Sequence, residues 1–161
     1  MFREMRRFKQ AMSQEECIAV LNRNTSGVLA LLGDEDYPYA VPMNYVYHNG
    51  QIIFHCAKDG HKLDAIRRYE KASFCVIDKD EIVPEKFTSY YRSVIAFGKI
   101  HVLEEDAERR DTLLRLATHY SPDHIHTRMA DFDKSVARVC MVALNIEHMT
   151  GKEAMELKNK G

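Results

Sequence analysis

The segment from Pro38 to Lys62, PYAVPMNYVYHNGQIIFHCAKDGHK, holds in order a strand, a tight turn, a second strand and a helix start. Tyr39, Val41, Met43, Tyr45 and Tyr47 share one side of an extended chain, and Ala40, Pro42, Asn44 and Val46 share the other. Asn49-Gly50 is the pair best suited to a two-residue hairpin turn, because both positions tolerate positive φ. The sequence therefore predicts that Ile52–Ala57 runs back as the partner of the preceding strand. Gly60-His61-Lys62 then opens an amphipathic helix over 61–70, with Leu63 and Ile66 on its apolar side.

A helix that starts just after a strand presents backbone N–H groups with no intrahelical acceptor. His61 and Lys62 set two potentially cationic side chains beside them, and that combination suits a phosphate. An ordinary hairpin followed by a helix with a solvated Lys62 fits the same residues. Asp59 could also cap the helix and repel an anion. The residues alone leave both readings open.

The 161 residues are 45% hydrophobic and 29% charged, with a formal net charge of -1. Those values predict a globular chain with a single domain over 1–161 and a core of its own. A near-neutral balance gives no broad electrostatic reason to bind nucleic acid or an acidic membrane. Arg3, Arg6, Arg7 and Lys9 make a basic N-terminus that reads as a solvated face. No apolar run is long enough to span a bilayer, and the N-terminus lacks the apolar core of a secretion signal, so a cytoplasmic protein is expected. Cys17, Cys56, Cys75 and Cys140 form no C-x-x-C pair; in a reducing compartment they read as small buried hydrophobes, not disulfides or a zinc site.

Outward from the central segment, Ser13-Gln14-Glu15-Glu16 fits a capping box that opens a helix ending near Asn22-Arg23-Asn24. Gly27–Leu32 is a continuous apolar run and predicts a buried strand. Ala72–Ile77 predicts a third short strand closed by DKDE. Thr88–Leu103 is a long β-rich stretch in which Gly98 marks a bulge or a close backbone approach. A helix follows over 104–120, with Leu113, Leu116, Ala117 and Tyr120 inward and Pro122 as its stop. Residues 123–134 show only a weak short-helix pattern. Val136–Ile146 predicts the final core strand, with a polar tail from Thr150. Many strands in hairpin order with a few helices predict a small closed or nearly closed barrel, a mainly β (α+β) fold.

Three sets of side chains could carry chemistry. His119, His124 and His126 lie close in sequence, but their spacing matches no zinc pattern, and incidental loop histidines with no metal are the better reading. His55 sits mid-strand in an apolar setting, where a histidine is more often a satisfied core or interface residue than a catalyst. Arg92-Ser93-Val94 sets a cation and a hydroxyl at a strand start, which ordinary edge decoration also explains.

Five stretches, MFREMRR at the start, PYAVPMNYVYHNG, FHCAKDGHK, YYRSVIAFGKIHVLEE and a late MTGK, together resemble the pyridoxamine-phosphate-oxidase-like FMN-binding split-barrel family. Within it the chain is most similar to the nitroimidazole-resistance branch. The resemblance implies a split β-barrel with peripheral helices, assembled as a homodimer with a flavin in each of two clefts between subunits. FMN is the cofactor it implies, and FAD occupies the same cleft in some members. Gly60, His61 and Lys62 would then hold the phosphate. Pro42, Met43, Asn44 and Tyr45 would run along the isoalloxazine, mainly through backbone groups. His55, Cys56 and Ala57 stand where relatives commonly have His-Ser-Ala near the flavin; a thiol donates a hydrogen bond more weakly than the serine hydroxyl it replaces. Arg92 and Ser93 stand where the true oxidases have an Arg-Gln pair that reads the flavin from the second subunit.

The oxidases also hold their substrate phosphate with a tryptophan-containing segment near the C-terminus. This chain has no tryptophan, which disfavours vitamin B6 oxidation. The resemblance implies a flavin-dependent reductase of small electron-poor compounds such as nitroimidazoles. His55 shares the parity of Ile53 and Ala57, and if that side faces the flavin it is the only titratable side chain on that strand face and could deliver a proton. A flavin-binding carrier or sensor without turnover is the alternative. A barrel that binds a partner and no flavin would leave the phosphate segment idle.

Overall fold

The computed structural model of the chain describes residues 1–159, with the backbone only at Arg128. The capping box forms as the spacing predicts: Ser13 Oγ accepts from the Glu16 N–H at 3.2 Å, and Glu16 Oε2 accepts from the Ser13 N–H at 2.6 Å. It starts α1 (Gln14–Arg23), whose buried face is Cys17, Val20 and Leu21.

Seven strands, β1 (Ser26–Leu32), β2 (Pro38–Asn44), β3 (Val46–His48), β4 (Gln51–Cys56), β5 (Lys71–Val83), β6 (Thr88–Val102) and β7 (Cys140–Glu153), form one sheet in the order β2-β1-β5-β6-β7-β4-β3. Every ladder is antiparallel. The two ends of that order, β2 and β3, are consecutive in the chain and separated only by Tyr45. The sheet therefore closes on itself through the covalent chain, with no ladder between β2 and β3. This is the split α+β barrel that the sequence predicts.

The barrel interior is packed by Leu29, Leu31, Tyr45, Ile52, Phe54, Phe74, Val94, Ile100, Val142 and Leu144, together with the apolar faces of α1 and of α2 (His61–Arg68). A second cluster, with Val46, Ile53, Met141 and Ala143, lies on the opposite face of β3, β4 and β7. It is covered by Leu113 and Leu116 of α3 (Asp106–Tyr120) and Phe132 of α4 (Ile125–Arg138). Strands β4 and β7 are thus buried on both faces, which is why IIF and CMVAL are continuous apolar runs and not alternating ones. A short α5 (Met155–Lys158) follows β7.

Four expectations change. The predicted hairpin of 39–47 with 52–57 forms only across Val46–His48 and Gln51–Ile53, around Asn49 at φ 46 and Gly50 at φ 80. Upstream, β2 pairs with β1 instead. The exchange occurs at Tyr45, which is fully buried. Its hydroxyl donates to Leu21 O at 2.7 Å, and the Tyr120 hydroxyl bonds both its N–H and its C=O. That triple hold bends the chain without breaking the side-chain alternation.

The other three are extensions and a displacement. Strand β5 runs past DKDE to Val83, because residues 79–83 pair with Thr88–Arg92 after a bulge between Ile77 and Lys79. Most of the polar region 123–134, from Ile125 on, belongs to a 14-residue helix, α4, that takes in Val136, so the last strand begins at Cys140. That strand continues to Glu153, since Met149–Glu153 pair with Arg92–Ala96 where a polar tail is predicted. Gly98 sits at a register shift in β6, and a Cβ there would meet Asn145 O at 1.9 Å, so backbone proximity demands glycine.

Candidate functional site

The site is built where β4 ends and α2 begins. Ala57–Gly60 is an exposed turn that carries the chain off the sheet. Gly60 is the N-cap of α2 at φ 115, ψ 170, a conformation strained for any L side chain, although a Cβ there would meet nothing. No side chain caps the helix, so Asp59 does not take the capping role open to it. The amides of the first turn have no intrahelical acceptor, and the helix dipole adds partial positive charge beside them.

The two flanking cations are placed differently. Lys62 is half-buried and makes no hydrogen bond or ion pair among the described residues. His61 is already engaged: its ring stacks on Tyr39 with centroids 4.2 Å apart and planes 13° from parallel. Its Nε2 accepts from the Asp34 N–H at 3.3 Å and lies 3.6 Å from Asp34 Oδ1. Arg68, at the far end of α2, donates to Leu32 O at 3.0 Å and to Gly33 O. His61 and Arg68 thus pin α2 to the turn between β1 and β2, and Lys62 is left as the uncommitted cation of the first turn. Arg67 and Lys58 are exposed, also without partners among the described residues, and flank the same region. No motif singles out either residue in the sequence; their place on either side of the Gly60 turn is the only signal there.

Along β2 the predicted parity holds. Met43 is buried and Tyr45 fully so, while Pro42 and Asn44 face outward. Asn44 Nδ2 donates to Thr25 O at 2.9 Å. Because β2 has a ladder partner on one side only, part of its backbone N–H and C=O groups is unpaired by any strand. Pro42, which lacks an N–H, belongs on such an edge. His55 is exposed and without a hydrogen-bond partner among the described residues, so the apolar setting read from the sequence applies to its neighbours Phe54 and Ile53 and not to it. Ala57 is exposed beside it. Cys56 is half-buried against the barrel interior; burial, reinforced by the nearby Cys140, pushes its thiol up to about 11, while Lys62 and Arg67 pull the other way.

Arg92 and Ser93 lie elsewhere in the chain. Arg92 Nε donates to Glu153 Oε2 at 2.9 Å and Nη1 to Asp78 Oδ2 at 3.2 Å, and Arg23 closes the group with two bonds to Asp78 at 2.7 and 2.6 Å. Burial alone would raise the Asp78 carboxyl. The hydrogen bonds from Arg23, Asn24 and Arg92 outweigh it and hold that carboxyl at about 2. Ser93 points to the other face of β6, opposite Ile77 and Lys152. Arg92 pairs with Lys79 and Glu153 in the ladders of β6, whereas Val102, which lines the cavity with Arg67, lies ten strand positions further along β6, and no contact joins Arg92 or Ser93 to the start of α2 among the described residues. One chain therefore does not bring the two sets together.

His119, His124 and His126 converge on no site: among the described residues no three His, Cys, Asp or Glu side chains are arranged to hold a metal. No helix in the described residues is long and apolar enough to cross a membrane.

A protein-family model described as pyridoxamine 5'-phosphate oxidase matches residues 13–153. No curated protein matches the chain. Among solved structures, a conserved hypothetical protein from Mycobacterium tuberculosis, 19% identical, superposes with a TM-score of 0.81 over 96% of this chain and 93% of that one. A candidate 5-nitroimidazole antibiotic resistance protein from Bacteroides thetaiotaomicron is 22% identical, with a TM-score of 0.75 over 89% of this chain and 86% of that one. A FAD-binding protein from Mesorhizobium loti is 24% identical, with a TM-score of 0.65 over 89% of this chain and 96% of that one. At these identities the likeness is one of fold.

Proposed function

The chain belongs to the pyridoxamine 5'-phosphate oxidase family, and from that premise we propose that it is a flavin-binding domain, with FMN as the cofactor and FAD as an accepted substitute. The observation that carries this reading is the start of α2: unpaired first-turn amides, Gly60 at positive φ, and Lys62 with no counter-charge of its own among the described residues. A phosphate supplies the missing partner for each. The fit is partial at His61 and Arg92, whose polar atoms are spent inside the chain, so His61 acts as a positioning residue for α2 and Arg92 reaches a cofactor only by leaving part of its ion network.

The functional unit is a homodimer. Lys62 and Arg92 make no contact within a chain among the described residues, and a second copy would bring the two sets to one flavin. Val28, Ile77 and Ile95 also leave an apolar strip on the outside of β1, β5 and β6, exposed to 37%, 65% and 37%, that a second copy would cover. When bound, the flavin supplies the redox chemistry. The protein orients it along the open edge of β2, and exposed His55 is the residue that delivers a proton to a reduced acceptor. Small electron-poor compounds such as nitroimidazoles are the acceptors this reading assigns, in keeping with the nitroimidazole-resistance description of one structural neighbour. Oxidation of pyridoxamine phosphate is not assigned, since the chain has no tryptophan for the substrate-holding segment.

The test is the visible spectrum of the freshly purified protein. Flavin bands that bleach with NADH or NADPH and recover on adding a nitroaromatic support the enzyme. Flavin bands that no nicotinamide bleaches favour a carrier or sensor. A colourless protein that takes up no FMN overturns both.

A further inference from the structure

Cys56 closes β4 and Cys140 opens β7, and the two are direct partners in the antiparallel ladder. Facing residues in such a ladder have Cα atoms about 4.5–5.5 Å apart, within the roughly 4.4–6.8 Å that a disulfide spans. Both side chains pack with the barrel interior, Cys140 buried and Cys56 half-buried, so they lie on the same face of the sheet. Both thiols are free of disulfides, and the Cys140 Sγ–H donates to Met141 O at 3.9 Å.

Cys140, though buried, also borders a surface cavity. A cavity of about 290 Å³ opens onto Cys140, lined by Lys58, Arg67 and Arg109 against one carboxylate, Glu104. Arg109 donates to Val136 O and Val139 O at 2.8 and 3.2 Å and is ion-paired with Asp106 at 3.1 Å, whereas Lys58 and Arg67 have no partner among the described residues and supply the uncompensated charge. A cavity of that charge attracts a small reagent bearing carboxylates.

We propose that Cys56 and Cys140 are a reversible redox pair, oxidised to a cross-strand disulfide by an anionic low-molecular-weight disulfide that docks in this cationic cavity. Cys140, which lines the cavity, attacks one sulfur of the reagent as thiolate, forms a mixed disulfide and releases one reagent thiol. Cys56 then displaces the second. Two protein thiols are oxidised, one reagent disulfide is reduced to two thiols, and the two protons from the cysteines end on those released thiols. Burial keeps Cys56 protonated at neutral pH, so the closing step is slow. The new bond ties β4 to β7 at the point where the chain leaves the sheet for the Ala57–Gly60 turn. No flavin enters this chemistry.

The experiment treats the full chain with glutathione disulfide, quenches by alkylation and maps the peptides. The expected product has lost two of its four thiols, carries no adduct, joins the Cys56 peptide to the Cys140 peptide, and reverts with dithiothreitol. Cys56→Ser should trap the reagent as an adduct on Cys140, and Cys140→Ser should stay unmodified. Four surviving thiols, adducts without the 56–140 link, or a link through Cys17 or Cys75 would overturn the pair; this mapping needs no variant, so it decides even if a serine substitution does not fold. The neutral reagent 2-hydroxyethyl disulfide should react several-fold more slowly on the native chain, and Arg67→Ala should narrow that gap. Equal rates for the two reagents on the native chain would overturn the cationic docking.

Discussion

Replacing Lys62 by alanine tests the phosphate reading at its centre. Lys62 makes no ion pair or hydrogen bond among the described residues, so its removal orphans no internal group. The folded apo-protein should therefore keep its thermal midpoint to within a few degrees. A charge-assisted hydrogen bond to a phosphate is worth about 1.5–3 kcal/mol, or roughly 10- to 150-fold in affinity. The first-turn amides and the Gly60 conformation survive the substitution, and Lys62 is only half-buried, so the lower part of that range, about 10- to 30-fold, is expected. Titration of apo-protein with FMN, followed by quenching of flavin fluorescence, gives the dissociation constant. Repeating it at low and high ionic strength adds a second readout, because the native protein should lose more affinity to salt than the variant does. An unchanged dissociation constant with an unchanged salt response would refute the assignment and leave Lys62 a solvated surface lysine. Loss of flavin together with a large drop in thermal midpoint would show a structural role instead.

The remaining expectations follow from particular contacts. Asp78 has its folded pKa depressed to about 2, so its contribution to stability is fully present above the ordinary value near 3.8 and is lost as pH falls from there through about 2; the shift corresponds to about 2 kcal/mol at neutral pH, and urea unfolding of the native chain and Asp78→Asn across that window measures it. Asp78→Asn should flatten the acid dependence, and an identical pH profile in both proteins would show that the network adds nothing. Gly98→Ala drives a Cβ into Asn145 O across the β6–β7 ladder, and a loss of about 3 kcal/mol or more is expected in chemical denaturation; a neutral result would mean the bulge has room to shift. His55→Ala should lower turnover of an accepted nitroaromatic by about 100-fold while flavin affinity and thermal midpoint hold, since the side chain is exposed and without a hydrogen-bond partner among the described residues. If turnover survives, His55 has no part in proton delivery.

Much of the site was legible because its signals are local. Gly60 before an amphipathic segment marks a helix start by backbone chemistry, and the cation on the first turn is read directly at Lys62. The commitments of His61 and Arg92 were not legible. Each depends on a residue brought near by folding, Asp34 for the first and Glu153 with Asp78 for the second. A side chain's type shows what it can bind, while its neighbours in space decide whether that capacity is already used. Arg67 and Lys58 were not legible for the same reason, since only the approach of β6, β7 and α3 turns two surface cations into one side of a cavity.

What the sequence determined by itself is the periodic and punctuated part of the protein. The alternation through Met43 and Tyr45, the Asn49-Gly50 turn, the Ser13–Glu16 cap and the glycine at 98 each follow from φ/ψ limits or from two- and three-residue spacing. Tertiary structure alone decided which strand pairs with which. A strand's inward and outward faces are fixed by alternate residues, but its hydrogen-bonding edges are chemically the same along any sequence, so an apolar pattern does not name its partner. Hence β2 turns from the expected hairpin to β1, and the exchange is set by Tyr45, held by Leu21 and by Tyr120 from 75 positions along the chain. The polar stretches at 79–83 and 149–153 become strand for the same reason, because each lies beside the other arm of a ladder already formed, and an unpaired backbone there would be left without its hydrogen bonds.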